Sequence, residues 1–269
     1  MLAVDEAWFG LVAVMLGVIA PQRAMAINAD EPPAVWSCDF RGPVEQCGFS
    51  LQARSRMRAR PVVARGIPGI KLITEPGDDR IAGSGRAERA DLSLSSRETD
   101  CRNGSDQWWS HSILFPDQYA HPVATGQDSW PWGVVFDFHH TGNSGQANFQ
   151  IEVAEQPSQL RFALSSGDEV SDGSPRSGTR RYPIGPLVKN HWYRFVYHVK
   201  WSDRGDGIFE AWADGVQKIN YRGPTLYAGQ QCYLKLANYH TPHGQSVTVI
   251  HGPIARAPSR QELPESSAP

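Results

Sequence analysis

The stretch HWYRFVYHVKW, residues 191–201, alternates apolar and polar side chains along its whole length. Its apolar positions are Tyr193, Phe195, Tyr197, Val199 and Trp201, and its polar positions are Arg194, His198 and Lys200. Because successive side chains of a β-strand point to opposite faces, the segment would present one aromatic face and one cationic face. The pattern predicts a strand whose aromatic face packs on a hydrophobic core.

The next segment, GIFEAWADGVQKINY at residues 207–221, predicts a β-hairpin. Two extended runs flank Asp214-Gly215, and Asp-Gly is a strong sequence signal for a tight hairpin turn. Beyond residue 30 the chain consists of short extended runs separated by Gly, Pro, Asn and Asp, without an amphipathic helix. Further strands are expected near residues 81–94, 107–115, 132–140, 147–154, 160–165, 231–239 and 246–255.

About ten short strands with turn signals between them are typical of two stacked antiparallel sheets. We therefore predict an all-β fold, a jelly-roll or concanavalin-like β-sandwich, as one domain over residues 27–256. The last segment, APSRQELPESSAP at 257–269, has the composition of a flexible C-terminal tail.

The N-terminal residues differ from the rest of the chain. FGLVAVMLGVIA, residues 9–20, is a continuous apolar run, and Ala24-Met25-Ala26 follows it as a small-x-small cleavage pattern. We predict a signal peptide over residues 1–26, although acidic residues precede the run where a positive segment is usual. A membrane anchor is the alternative, but the run is shorter than the roughly 20 residues that span a bilayer. The mature protein is expected to be secreted or periplasmic, off the membrane and monomeric.

Charge and cysteine content narrow the class of protein further. The net charge is −2, whereas nucleic-acid-binding proteins usually carry a basic excess. Four cysteines in an exported chain suggest two disulfides, and three pairings are possible. We favour Cys38–Cys47, which closes a short loop, and by elimination Cys101–Cys232. A zinc site is disfavoured because no CxxC or HxxxH spacing accompanies the cysteines.

Three predicted strands place titratable side chains on one face. In YLKLANYHT, 233–241, alternation puts Tyr233, Lys235 and Tyr239 on the face opposite two leucines. In WGVVFDFHH, 132–140, it puts Asp137 and His139 together, opposite two phenylalanines.

A further segment, SGRAERADLSL at 84–94, spaces Arg86 and Glu88 by two residues, so both would lie on one side of a strand. Glu88 is expected to form a buried ion pair. A planar guanidinium such as that of Arg86 also suits a substrate carboxylate.

The order of these segments resembles the heparin lyase I-like polysaccharide lyases. GRAERADLS, WWSHSILFP, VVFDFHH, WYRFVYHVKWSDRGDGIFEAWADG and YLKLANYH are similar to successive blocks of that superfamily over roughly residues 80–255. The superfamily is also similar to glucuronan lyases and, more distantly, to jelly-roll alginate lyases. The resemblance implies a sugar-binding groove on one sheet and cleavage of a uronic-acid polysaccharide by β-elimination.

By position, the resemblance implies roles for four side chains. Arg86 and Lys235 would contact the substrate carboxylate, His139 would be the groove histidine, and Tyr239 the catalytic tyrosine. Asp137 departs from the pattern, because the superfamily has glutamine there, and Ala237 stands where a glycine is usual.

The chemistry of β-elimination explains why these residue types are needed. The proton at C5 is weakly acidic because its removal adds negative charge next to a carboxylate, and cations or hydrogen-bond donors must stabilise that charge. A neutral His139 can accept the C5 proton, and Tyr239 can protonate the leaving oxygen or serve both steps. This chemistry requires no cofactor.

A carboxylate at residue 137 would repel an anionic substrate. Asp137 must therefore be protonated, paired with Arg86 or Lys235, or bound to a cation such as Ca²⁺. Trp130, Tyr233, Asn148 and Gln150 are the remaining candidates for substrate binding.

Two other functions remain open on sequence alone. A lectin-like carbohydrate-binding module without catalysis would need the same cations and aromatic residues. A β-sandwich glycoside hydrolase would need paired carboxylates, but IEVAEQ at 151–156 offers Glu152 and Glu155 without the central aspartate of the usual E-x-D-x-x-E pattern. Glucuronan, alginate and heparin-type chains all carry the same carboxylate, so the sequence does not identify the polymer.

Overall fold

The computed structural model describes residues 35–81, 85–121, 131–142, 146–154, 158–166, 179–242 and 244–264. The predicted signal peptide and Trp130 lie outside these described ranges. No helix within them is long and apolar enough to cross a membrane.

The regular structure of the described residues is almost entirely β-strand. The elements in chain order are β1 (Trp36–Cys38), β2 (Phe49–Ala53), β3 (Ala59–Ala64), β4 (Ile67–Thr74), β5 (Glu88–Leu94), α1 (Ser96–Thr99), β6 (Asp106–Leu114), β7 (Trp132–His140), β8 (Phe149–Ala154), β9 (Gln159–Leu164), β10 (Arg180–Pro186), β11 (Trp192–Lys200), β12 (Ile208–Ala213), β13 (Val216–Arg222), β14 (Cys232–His240) and β15 (Val247–Ala257). Three short 3₁₀ turns, 44–47, 56–58 and 260–262, complete the set.

The strands form two antiparallel sheets, as predicted. The eight-stranded sheet has the order β13-β12-β11-β6-β15-β4-β3, with β1 paired to β15. The seven-stranded sheet has the order β10-β9-β8-β7-β14-β5-β2. Consecutive strands pair in part of each sheet, while pairs such as β6 with β15 and β7 with β14 come from distant parts of the chain, as in a β-sandwich with jelly-roll character.

The segment at 191–201 forms β11 with the predicted alternation. Its apolar side chains are buried, and Arg194, His198 and Lys200 are partly exposed on the other face. The predicted hairpin is formed by β12 and β13, and both turn residues have positive φ, 49° for Asp214 and 77° for Gly215. Positive φ at both positions is characteristic of the type I′ turn that fits the twist of paired strands.

Many aromatic side chains pack in the core between the sheets. Phe149 of the seven-stranded sheet stacks on Phe209 of the eight-stranded sheet with ring centroids 4.4 Å apart. Phe138 meets Trp201 edge-on at 5.1 Å. Because β7 and β8 bury these rings, their alternate side chains must point away from the core.

Both predicted disulfides are present in the structure, Cys38–Cys47 and Cys101–Cys232. The second joins chain segments 131 residues apart, and its Cys232 is the first residue of β14. The N–H of Cys232 also donates to the carbonyl of Cys101 at 3.0 Å. This bridge therefore holds the start of β14 in place.

Several strand boundaries differ from the sequence prediction. The strand expected from residue 81 begins only at Glu88, and strands β1 to β4 and β10 were not anticipated. At the C-terminus, β15 extends to Ala257, and the guanidinium of Arg260 lies over the rings of Trp108 and Trp212 at 6.0 and 5.3 Å. Residues 265–269 lie outside the described ranges.

Candidate active site

Four adjacent strands of the seven-stranded sheet, in the order β8-β7-β14-β5, carry the polar residues singled out in the sequence. Their alternate residues are core side chains such as Phe136, Phe138, Leu234 and Leu236. The polar set therefore occupies the opposite face of the sheet, which we call the polar face. Its members are Arg89, Asp91 and Ser93 of β5, Tyr233, Lys235 and Tyr239 of β14, Asp137 and His139 of β7, and Gln150 and Glu152 of β8.

Strand register arranges these residues in rows across the sheet. Lys235 lies opposite Asp137 on one side and opposite Ser93 on the other. Tyr239 lies opposite Arg89, and Tyr233 lies opposite His139. Three of the four predicted catalytic side chains, His139, Lys235 and Tyr239, are thus brought to one face.

A buried cluster of charges lies at the centre of the polar face. The Nε of Arg89 is 3.1 Å from the Oδ2 of Asp91, and the Nζ of Lys235 is 3.9 Å from the same oxygen. All three side chains are nearly inaccessible to solvent. Asp91 also accepts the backbone N–H of Asn238 at 3.2 Å through Oδ1. Asp91 therefore has two cationic neighbours and a hydrogen-bond donor.

Asp137, the register partner of Lys235, is buried as well, with 4% of its surface exposed. Its Oδ1 has no hydrogen-bond partner among the described residues. Burial raises the pKa of Asp137 to about 6, even though Lys235 and Arg89 act in the opposite direction. Burial likewise raises the pKa of Asp91 to about 6 against the attraction of the same two cations. A buried carboxylate is costly without partners, so both groups hold protons more tightly than usual.

The His139 imidazole is held in the form that a base requires. Its Nδ1 lies 3.0 Å from the backbone carbonyl of His140, and since a carbonyl only accepts, Nδ1 carries the hydrogen. Burial, together with the nearby charges of Lys235 and Arg89, lowers the pKa of His139 to about 4, against the opposing effect of the hydrogen bond to His140. The ring is therefore neutral near pH 7, with a lone pair on Nε2.

The two tyrosines of the polar face have different neighbours. The guanidinium carbon of Arg89 lies 4.2 Å from the ring centroid of Tyr239, and Trp132 meets that ring edge-on at 5.0 Å. Burial raises the pKa of Tyr239, and the nearby Arg89 partly opposes that shift. Tyr233 packs beside His139 at 5.3 Å, and burial raises its pKa to about 12. Both phenols are protonated near neutral pH and can donate a proton.

Arg86 does not belong to this cluster, contrary to the expectation from sequence. It is exposed, precedes the first residue of β5, and makes no hydrogen bond or ion pair within the described part of the chain. Glu88 is buried but does not pair with Arg86: its Oε1 accepts the N–H of Gly77, and its Oε2 is 3.9 Å from the Nδ1 of His240. The guanidinium at the site is that of Arg89.

The sequence did contain a signal for Arg89 and Asp91. In ERADLSL the buried core residues are Leu92 and Leu94, and counting back from them by two puts Arg89, Asp91 and Ser93 on the opposite face. The spacing of Arg86 and Glu88, in a strand expected from about residue 81, was taken to define the polar side and gave the wrong set. The first residues of a strand are the least certain part of any sequence assignment.

The two predicted substrate-binding side chains at the start of β8, Asn148 and Gln150, have different surroundings. Gln150 lies opposite Asp137 and donates to the Oε1 of Glu152 at 2.6 Å. Asn148, just before β8, is fully buried and donates to the carbonyl of Thr225 at 3.2 Å, so it anchors a loop. Only Gln150 of this pair adjoins the charge cluster.

Glu152 is held by arginines on the neighbouring strands. Its Oε2 accepts from Arg161 at 2.5 Å and from Arg181 at 3.2 Å. A carboxylate engaged by two guanidiniums is a poor general acid. Glu155, the other carboxylate considered for a hydrolase, lies outside the described residues. The described geometry therefore does not favour a glycoside hydrolase.

A buried hydrogen-bond network supports the end of β14. The side-chain amide of Asn238 donates to the carbonyls of Leu72 and Val247 at 3.2 and 2.9 Å. His251 donates through Nε2 to the carbonyl of Ala237 at 3.1 Å. The register of β14 against β7 shifts between Leu236 and Tyr239, and this network holds that irregular stretch. It thereby fixes the position of Tyr239.

A metal ion fits poorly at the polar face. No group of three or more His, Cys, Asp or Glu side chains suited to an ion occurs in the described ranges. Arg89 and Lys235 would also repel a divalent cation beside Asp137.

The fold and polar face define a β-sandwich with a buried cluster of charges on one sheet. The family model of the polysaccharide lyases matches residues 41–252 of the chain. The protein therefore belongs to the polysaccharide lyase family.

Solved structures of lyases share the fold. An endo-β-1,4-glucuronan lyase from the fungus Trichoderma reesei is 12% identical, with a TM-score of 0.57 over 77% of this chain and 90% of its own. The alginate lyase Aly36B is 11% identical, with a TM-score of 0.55 over 84% of this chain and 98% of its own. No curated protein sequence matches the chain. At such low identities these likenesses show the fold and leave the polymer open.

Proposed function

We propose that this protein cleaves a uronic-acid-containing polysaccharide by β-elimination. The observation that carries the proposal is the meeting of Lys235, Arg89, His139 and Tyr239 on one polar face, around a buried charge cluster. Membership of the polysaccharide lyase family supports the reaction class. Because a glucuronan lyase and an alginate lyase share the fold, glucuronan and alginate are the first polymers to test.

The substrate carboxylate is the group that needs stabilisation. Lys235 and Arg89 supply two buried positive charges, which act strongly in a site from which water is largely excluded. They lower the energy of the negative charge that builds on the uronate when the C5 proton leaves. Arg89 takes the role that the sequence resemblance had given to Arg86.

His139 and Tyr239 then move the protons. The Nε2 lone pair of His139 accepts the C5 proton, and the C5 electron pair forms the C4–C5 double bond as the C4–oxygen bond breaks. The phenol of Tyr239 donates its proton to the departing oxygen. The products are an unsaturated uronate and a sugar with a new free hydroxyl, and exchange with solvent restores both side chains.

The proposal is tested by the ultraviolet absorbance of the unsaturated product on a panel of glucuronan, alginate and heparin-type chains. We expect wild-type protein to form product from at least one polymer and Tyr239→Phe to form almost none. Tyr221→Phe, on β13 of the other sheet, is the matched control and should act as wild type does.

Other results would contradict the proposal. Binding of these polymers without product from wild-type protein would favour the lectin-like alternative. Normal cleavage by a folded Tyr239→Phe variant would remove Tyr239 from the mechanism.

We also propose that the protein is exported. Two disulfides are compatible with an extracellular location, because such bonds persist in oxidising compartments. A long-chain anionic polysaccharide is likewise met outside the cytoplasm. N-terminal sequencing of protein secreted by an expression host tests cleavage after Ala26.

A further inference from the structure

Asp137 is a buried charged group to which the elimination chemistry gives no role. It lies at the centre of the polar face, opposite Lys235 of β14 and opposite Gln150 of β8. One of its carboxylate oxygens has no hydrogen-bond partner among the described residues. A buried oxygen without a partner is energetically unfavourable and points to a ligand or a proton.

Asp91 and Asp137 share the same cations but differ in their partners. Asp91 lies 3.1 Å from Arg89 and 3.9 Å from Lys235, and it accepts the N–H of Asn238. These contacts stabilise an ionised carboxylate. Asp137 makes no ion pair within 4.0 Å in the described structure, and its Oδ1, like the Oδ2 of Asp91, has no hydrogen-bond partner there. Burial raises the pKa of both groups to about 6, and Asp137 is the one that lacks a close ion pair in the described structure.

The charges facing Asp137 come from each strand packed around it. They are His139 on its own strand, Lys235 and Tyr233 on β14, Arg89 and Asp91 on β5, and Glu152 next to Gln150 on β8. His139 and Tyr233 are neutral near pH 7, and Glu152 is engaged by its two arginines.

At the centre of the polar face, the two carboxylates of Asp91 and Asp137 balance the two positive charges of Arg89 and Lys235. A uronate that enters this cluster adds a third carboxylate and leaves the buried site with excess negative charge. Excess charge in a poorly solvated site is strongly unfavourable, and uptake of one proton removes it.

Resting on the lyase function proposed above, we propose that Asp137 takes up a proton when a uronate binds and donates its O–H to the uronate carboxylate. The proton comes from solvent and stays on Asp137 during the elimination. The hydrogen bond spreads the negative charge that the uronate gains when C5 is deprotonated. Asp137 is then a substrate-binding acid, and its carboxylate never faces the substrate in ionised form.

The free protein is close to the required state. Burial brings the pKa of Asp137 to about 6, so protonation near neutral pH needs little free energy. His139 must stay neutral to accept the C5 proton, and burial lowers its pKa to about 4. Because kcat/KM reports the free enzyme, it should be highest between these two values and fall on both sides.

The first experiment compares kcat/KM against pH for wild type and Asp137→Asn. Asparagine donates a hydrogen bond at every pH and has nearly the same shape. Above about pH 6 wild type should lose about tenfold per pH unit, while Asp137→Asn should stay level over that range. The surface variant Asp39→Asn is the matched control and should keep the wild-type slope. Parallel curves for wild type and Asp137→Asn, or a folded Asp137→Asn that is inactive at every pH, would overturn the proposal.

The second experiment needs no turnover. Calorimetry of a glucuronate or mannuronate trisaccharide binding to Tyr239→Phe, in buffers of different ionisation enthalpy, counts the protons taken up. We expect close to one proton per ligand near neutral pH and none in Tyr239→Phe/Asp137→Asn. Equal uptake by both proteins, or no uptake by Tyr239→Phe, would refute the role of Asp137.

The two proposals fail in different ways. Proton uptake that depends on Asp137, without product from any polymer, would contradict the lyase function and leave the protonation of Asp137 standing. Product formation with parallel pH curves would contradict the role of Asp137 alone.

Discussion

Single side chains decide whether the polar face can bind an anion. Arg89 contacts Asp91 and covers the ring of Tyr239, whereas Arg86, three residues earlier, is exposed. The two arginines form a natural pair for mutagenesis, because they share a chemical type and differ only in where the backbone puts them.

We expect Arg89→Ala to lower kcat/KM on the preferred polymer by about a hundredfold or more, because one buried charge stabiliser is lost. Arg86→Ala should stay within about twofold of wild type, as is usual for a solvated surface residue. Initial rates of product absorbance, with circular dichroism to check folding, provide the measurement. Equal losses in both variants would show that Arg89 is not specifically placed for the reaction.

The raised pKa of Asp137 also leads to a prediction about the pH dependence of stability. Its folded-state pKa, about 6, lies above its ordinary value of 3.8, so its contribution to stability is fully present below 3.8 and is lost as pH rises through 6. Near pH 8 Asp137→Asn should therefore be more stable than wild type, by about 1–3 kcal/mol. This advantage should shrink as pH falls from 6 towards 3.8.

Thermal melts across that pH range measure the effect, with Asp39→Asn as the surface control. A stabilisation of Asp137→Asn that is the same at every pH would contradict the titration of Asp137 and indicate a packing effect.

The strands that carry these side chains were predictable to different degrees. Alternation identified Asp137 with His139 and Lys235 with Tyr239, because each pair lies on one strand whose other face is apolar. Arg89 was missed because the polar side was assigned from Arg86 and Glu88 in a strand expected from about residue 81, although β5 begins at Glu88. Alternation divides the residues of a strand into two sets, and the apolar residues show which set faces the core. Where a strand begins with polar residues, the sequence gives little indication of which set that is.

The irregular end of β14 was beyond sequence reasoning. The register shift between Leu236 and Tyr239 depends on hydrogen bonds between β14 and other strands. The side chain of Asn238 donates to Leu72 of β4, and His251 of β15 donates to Ala237. A regular strand would have no need of this buried polar support.

We expect Asn238→Ala to destabilise the protein by about 1–3 kcal/mol, because the buried carbonyls of Leu72 and Val247 lose their donor. Activity should fall as well, since Tyr239 is next in sequence. Equilibrium urea unfolding measures the free energy, and exposed Asn220→Ala on β13 should change it by less than about 0.5 kcal/mol. Asn238→Ala with unchanged stability would mean that the network does not hold β14.

At the scale of the whole molecule, the two disulfides link segments at very different separations along the chain. Cys101–Cys232 joins residues 131 apart in sequence, and Cys38–Cys47 joins residues nine apart. Closing a longer loop removes more entropy from the unfolded chain, so the two bridges should differ in their effect.

Replacing Cys101 and Cys232 by alanine should destabilise the protein by about 2–5 kcal/mol, and more than replacing Cys38 and Cys47. Guanidinium unfolding of the two double variants, side by side, measures the difference. Activity of the Cys101/Cys232 variant at low denaturant should also fall, because that bridge holds the start of the strand that carries Lys235 and Tyr239. A larger loss from the Cys38/Cys47 pair would contradict the loop-length argument.

The amino-acid sequence was enough to specify the strands from 106 onward except β10, the hairpin at Asp214-Gly215, the two disulfides and the face on which most of the polar residues lie. The strands, the hairpin and the polar face follow from local periodicity and turn chemistry, which act over a few residues, whereas the disulfide pairing was chosen among three by the short loop of Cys38–Cys47 and by elimination. The tertiary structure alone showed that Arg89 meets Tyr239, that Asp137 lies between Lys235 and Gln150 with an unpaired oxygen, and that the end of β14 is irregular. These contacts join residues up to 150 positions apart, and period-two alternation fixes a residue's face but carries no information about which strand will lie beside it.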